Sequence, residues 1–138
     1  MGDELLKIAG GTTLRVLFAG PERLELEARY EGGGAEPPAH FHPAQDELFE
    51  ALAGAMRTRI GGREGTLAAG ETLAIPAGAV HQMWNAGEET AVLRWTTTPA
   101  GRTLEWFTVL AAALAGRPLG DPSTLLDRYS DVFRLAPD

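Results

Sequence analysis

The chain has no cysteine, only three histidines in 138 residues, no long apolar run and no excess of basic residues. Without cysteine there is no disulfide framework, no thiolate zinc site, no iron–sulfur ligation and no Cys nucleophile. No hydrophobic run nears the ~18 residues needed for a membrane-crossing helix. Twelve Lys and Arg stand against 19 Asp and Glu, a net charge of −7, whereas a nucleic-acid partner calls for a basic surface. The opening MGDELLKIAGG carries acids where a secretory signal carries Lys or Arg. Leu6 stands where a myristoylation signal needs Ser or Thr. The expectation is a cytoplasmic protein with no membrane and no nucleic-acid partner. Any metal site in it must be built from imidazole and carboxylate.

What is present is punctuation. Seventeen glycines and nine prolines divide the chain, and up to about residue 100 the segments between them are short. Thr12 to Phe18 reads as a strand. Leu24, Leu26, Ala28 and Tyr30 alternate with Arg23, Glu25, Glu27 and Arg29, the period of two of a half-buried strand. Glu47–Leu52, Ala55–Ile60, Thr72–Ile75, His81–Trp84 and Thr90–Thr96 follow, separated by AGA, GG, PAG and NAGEE. Short strands joined by Gly and Asn turns indicate a sandwich or small barrel, and the lack of βαβ alternation argues against a Rossmann-type sheet. After Pro99 the pattern becomes helical. Leu104, Phe107, Leu110, Ala111 and Leu114 fall on one face, with Gly116 as a stop. Asp121-Pro122 then opens a second helix carrying Leu125, Leu126 and Tyr129. Both helices are expected to cover an outer face of the β unit.

Two of the three histidines lie in PPAHFHPAQDE, residues 37–47. On a strand, His40 and His42 project to the same side, and the prolines before them disfavour a helix. Glu47 re-enters on the next strand after PAQD, and His81 opens another strand after the Pro76–Gly78 turn. If the strands curl around a common interior, three imidazoles and one carboxylate meet. Such a donor set suits Fe, Mn, Ni, Co, Cu or Zn without choosing among them. Spacing alone leaves the histidines open between ligands and ordinary surface or core positions.

The same residues carry a stronger pattern. This region resembles the cupin superfamily, with motifs G-x5-H-x-H-x3–4-E-x6-G and G-x5-P-x-G-x2-H-x3-N. Gly34, His40, His42, Glu47 and Gly54 fill the first, and Gly70, Pro76, Gly78, His81 and Asn85 the second. The resemblance implies an all-β fold, a single jelly-roll (double-stranded β-helix) barrel over about residues 12–98, with a helical extension over about 102–135 packed outside. The whole chain, residues 1–138, is then one domain. It implies one divalent transition metal ion held by His40, His42, Glu47 and His81. Gly54, Gly70 and Gly78 read as turn residues, and Asn85 as either a turn cap or a site residue. Glu71 stands where the family often has Asp, and Asp46 is set aside as a ligand because the spacing to Gly54 selects Glu47.

Cupin reactions are diverse, so the lining of the pocket has to suggest the function. Strand alternation turns Phe49 and Ala51 inward with Glu47, and Met83 inward with His81. Tyr30, Met56, Thr58 and either Trp95 or Arg94 are further candidates. A mostly apolar, aromatic lining favours a small uncharged ligand over a phosphorylated sugar. The leading expectation is a quercetinase-like, metal-dependent dioxygenase acting on an enediol or flavonol-like substrate, with Glu47 doubling as general base. A non-enzymatic binding or sensor module and an oxygen-independent isomerase or epimerase are the alternatives. By resemblance, a homodimer is expected.

Overall fold

The computed structural model describes residues 5–9, 11–117, 121 and 124–137. Eleven strands in these residues form two antiparallel sheets. The larger is ordered β1 (Leu5–Ala9), β2 (Thr12–Ala19), β3 (Leu24–Tyr30), β10 (Ala91–Thr98), β5 (Asp46–Ala53) and β8 (Thr72–Ile75). The smaller runs β11 (Arg134–Leu135), β4 (His40–Phe41), β9 (His81–Trp84), β6 (Ala55–Ile60) and β7 (Arg63–Ala68). This is the expected jelly-roll architecture.

Alternation sets which side chains enter the core. On β3, Leu24, Leu26 and Ala28 are buried while Arg29 is exposed; on β5, Glu47, Phe49 and Ala51 are buried while Leu48 and Leu52 are exposed. On β10 the same rule decides between two candidates, burying Trp95 and leaving Arg94 in solvent. Leu14, Leu67, Ile75 and Leu93 complete the interior between the sheets.

Strands without burial contrast were not foreseen. β7, an edge strand of sequence REGTLA, is exposed over its first four residues and so has no hydrophobic period. Its pairing to β6 follows from the intervening Gly61-Gly62, both at positive φ, a two-residue hairpin turn. Gly54, Gly70 and Gly78 have positive φ as expected. At Gly54 a Cβ would in addition come within 2.8 Å of the Ala91 backbone, so that position is closed to other residues twice over.

α1 (Thr103–Leu114) and α2 (Leu125–Arg128) lie outside the sheets. The buried face of α1 differs from the one expected. Thr103, Trp106, Phe107 and Val109 are buried, Leu104 and Ala111 only partly, and Leu114 is 58 % exposed. The helix is rolled by about one residue because Trp106 and Phe107 enter the mouth of the barrel. The expected start at Asp121-Pro122 cannot be followed, since Pro122 lies outside the described residues. Of the three residues assigned to the second helix, Leu125 is buried, Leu126 is exposed, and Tyr129 is the buried C-cap. The chain then returns to the sheet as β11, which pairs with β4.

Candidate metal centre

The site lies between the sheets. Register places His40 directly opposite His81 across the β4–β9 pair, so two imidazoles are cross-strand neighbours. His42 stands one residue beyond β4, and its ring centroid lies 5.2 Å from that of His40 and 5.3 Å from that of His81. From the facing sheet, β5 presents Glu47.

Each imidazole is oriented by a backbone carbonyl. His40 Nδ1 donates to Pro38 O at 3.2 Å, His42 Nδ1 to Val132 O at 2.7 Å, and His81 Nδ1 to Ala79 O at 2.9 Å. A carbonyl can only accept, so all three Nδ1 atoms carry hydrogen and the neutral rings keep their Nε2 lone pairs free. One ring nitrogen from each histidine lies within 4.8 Å of the other two, a grouping able to hold a metal ion. Glu47 is outside that grouping, but its Oε1 lies 3.2 Å from Nε2 of both His42 and His81. Its Oε2 accepts a 2.7 Å hydrogen bond from Trp95 Nε1.

His42 Nε2 and Glu47 Oε1 are buried, and neither has a well-aligned hydrogen-bond partner. With Nδ1 protonated, a lone pair faces a carboxylate oxygen at 3.2 Å, an arrangement that needs a proton or a cation between them. The titration behaviour agrees. Burial opposes charge on His42, but the Glu47 carboxylate and the Val132 carbonyl outweigh it and the ring is pushed above the usual imidazole value. Burial likewise opposes ionisation of Glu47, yet the adjacent His42 and His81 rings outweigh it and hold its carboxyl at about 2. His40 falls to about 4, through burial and then the neighbouring His81 and His42. Burial thus favours the uncharged form of His40, a ready donor, while at His42 a metal ion competes with a proton. The residues fit a divalent transition ion.

A cavity of about 260 Å³ opens on the histidines. Tyr30, Phe49, Met83 and Trp95 line it together with Glu47. Met56 does not: it is fully buried in the core and is not among the lining residues. Thr58 is buried and also absent from the lining. Asn85 caps a turn, its Nδ2 donating to Tyr30 O and Glu89 O and its Oδ1 accepting from Gly87 N. Asp46 is exposed and accepts from Ala77 N, and Glu71 accepts from Ala68 N.

Sequence reasoning missed the other wall. Trp106, Phe107 and Leu110 of α1, and Phe133 and Leu135 from the C-terminal segment, all line the cavity. Phe133 stacks on His40, with centroids 4.9 Å apart and planes at 24°, and Trp106 stacks on Phe133 at 5.0 Å and 25°. The only local sign was an aromatic pair, Trp106-Phe107, of which periodicity selected one.

No curated protein sequence matches the chain. Solved structures do. An RmlC-like cupin from Shewanella frigidimarina is 22 % identical with a TM-score of 0.65, over 74 % of this chain and 88 % of that one. KdgF from Halomonas sp. is 16 % identical with a TM-score of 0.61, over 69 % and 86 %. A protein from Silicibacter pomeroyi described as a sugar phosphate isomerase from a cupin superfamily is 25 % identical with a TM-score of 0.57, over 64 % and 60 %. The cupin domain model matches residues 26–97, more than half of the 138 residues and a range that includes His40, His42, Glu47 and His81, so the chain belongs to the cupin family.

Proposed function

We propose that the protein is a metal-dependent enzyme acting on a small, uncharged organic substrate with adjacent oxygen atoms, an oxygenase being the leading reaction class. The lining of the cavity carries this reading. Phe49, Met83, Trp95, Trp106, Phe107 and Phe133 dominate it, and no Lys or Arg among the described residues lines it. A phosphorylated substrate would need cationic donors.

The volume narrows the class. At about 260 Å³ the cavity falls just below the ~300–1,000 Å³ of drug-sized ligand sites, which favours a one-ring or short-chain enediol over a three-ring flavonol. A divalent ion held by His40, His42 and His81 beside Glu47 would supply Lewis-acid activation of a substrate hydroxyl. With its carboxyl held well below the usual range by His42 and His81, against burial, Glu47 contributes negative charge beside the histidines. Burial, and then the Glu47 charge, raise the Tyr30 phenol, so it keeps its proton and can donate to a bound oxygen. The buried Trp106 indole N–H has no partner among the described residues, a second donor that a ligand oxygen would satisfy.

Likeness to the Silicibacter protein supports a second reading, an oxygen-independent isomerase. A homodimer belongs to the same proposal, supported by exposed Leu17 and Phe18 on β2 and Leu48 and Leu52 on β5. The test is oxygen uptake by protein loaded with Fe(II), Mn(II), Co(II), Ni(II) or Cu(II), against one-ring catechols, short enediols and flavonols. Metal-dependent oxygen consumption with the smaller compounds is expected. Turnover without oxygen uptake would move the reading to the isomerase, and saturable binding without turnover to a binding module.

A further inference from the structure

We propose that the C-terminal segment 131–136 is a working part of the metal centre, with Val132 and Phe133 as positioning residues for His42 and His40. The inference rests on the reading that the histidines hold a metal ion.

Three sets of contacts place the segment there. The Val132 carbonyl accepts from His42 Nδ1 at 2.7 Å, the shortest of the three carbonyl contacts that fix the imidazoles, and it comes from 90 residues away in the chain. The Phe133 ring lies nearly parallel to His40 and is backed by Trp106 of α1. His40 therefore has a weak backbone bond, at 3.2 Å, and an aromatic wall that limits its ring rotation. Beyond these, Arg134 and Leu135 pair with Phe41 and His40, and Ala136 N donates to Ala39 O at 2.9 Å. The segment thus grips the strand that carries His40 as well as the rings themselves.

A clasp outside the cavity holds the segment down. Arg102, at the start of α1, donates through Nε and Nη2 to the two oxygens of Asp131 and through Nη2 to Arg128 O. Its guanidinium also lies 4.7 Å from the Tyr129 ring centroid. A bidentate guanidinium–carboxylate pair fixes direction as well as distance. It leads the chain into Val132 and Phe133. Groups that orient metal-binding imidazoles commonly govern affinity by about 10–100-fold. By linkage, metal binding must then favour the docked segment to the same extent.

The test uses Co(II), whose visible absorption reports coordination geometry. Phe133→Leu keeps an apolar side chain but removes the ring, Phe133→Tyr keeps the ring, and Arg102→Gln loosens the clasp without touching the cavity. Phe133→Leu should weaken Co(II) binding about tenfold and change the spectrum, Phe133→Tyr should restore both, and Arg102→Gln should weaken binding by a smaller factor. In the unmodified chain, Co(II) should slow hydrogen exchange across residues 131–136, a readout that does not depend on any variant folding. Parent-like affinity and spectrum in Phe133→Leu, with exchange of 131–136 unaffected by Co(II), would overturn the proposal while leaving the metal site intact. No Co(II) binding by the parent chain would overturn both.

Discussion

Residues 34–85 and the described residues after 102 line one cavity by different means. The first region holds its ligands on paired strands, where His40 and His81 are fixed by register and Glu47 by alternation. The second supplies a carbonyl and a set of aromatic rings from a helix and from the turn that leads into a two-residue strand. Chemistry that depends on side-chain identity at set spacings is written into the first. Chemistry that depends on a backbone atom or on ring packing is placed in the second, where almost any sequence of suitable volume would serve. A metal site can therefore be half encoded by a motif and half by a fold.

The comparison can be broken most forcefully at Trp106. If the C-terminal region merely covered an outer surface, Trp106→Ala and Leu114→Ser would have similar, small effects. Trp106 is 3 % exposed and stacks on Phe133, whereas Leu114 is 58 % exposed. Trp106→Ala should cost about 3–5 kcal/mol in urea unfolding, and Leu114→Ser no more than about 0.5 kcal/mol. Equal losses would mean that α1 does not pack as described.

A smaller effect sharpens the role of the facing sheet. Trp95→Phe leaves Glu47 Oε2 without its donor in a buried setting, which should cost about 1–3 kcal/mol of stability. Co(II) affinity should fall by about tenfold, because the carboxylate is free to rotate. A thermal melt and a metal titration on the same sample separate the two.

Acidity should give the gentlest change. In the metal-free chain His42 holds its proton to a higher pH than an ordinary imidazole, because Glu47 and Val132 stabilise its charged form against burial. Metal has to displace that proton. Affinity should therefore begin to fall while the pH is still above the usual histidine range, by about tenfold per unit for one competing proton. His40, with its value lowered to about 4, adds a second competing proton only in more acidic solution. Titrations at pH 8, 7 and 6 check the direction, and affinity that is flat over this range would mean that His42 is not a ligand.

Much of this was legible in the sequence. Alternation on β3 and β5 was clear because one face meets the core and the other solvent. The resemblance of ten residues to the cupin motifs implied that His40, His42, Glu47 and His81 come together, which spacing alone left open. The edge strand β7 was not legible, since REGT buries nothing and carries no period. The two-residue strands β4 and β11 are too short to show one. Met56 was misplaced because alternation tells which side chains point inward, not which inward positions reach the cavity rather than the packed core. The contact from Val132 to His42 had no signal at all, for a carbonyl belongs to every residue alike.

The metal centre itself is tested most directly by elemental analysis of the purified chain beside His42→Ala, with circular dichroism to confirm that both are folded. About one transition metal ion per chain, lost in the folded variant, is the expected result. Equal metal content in the two proteins, or none in the parent after reconstitution, would contradict the assignment of His40, His42 and His81 as a metal site.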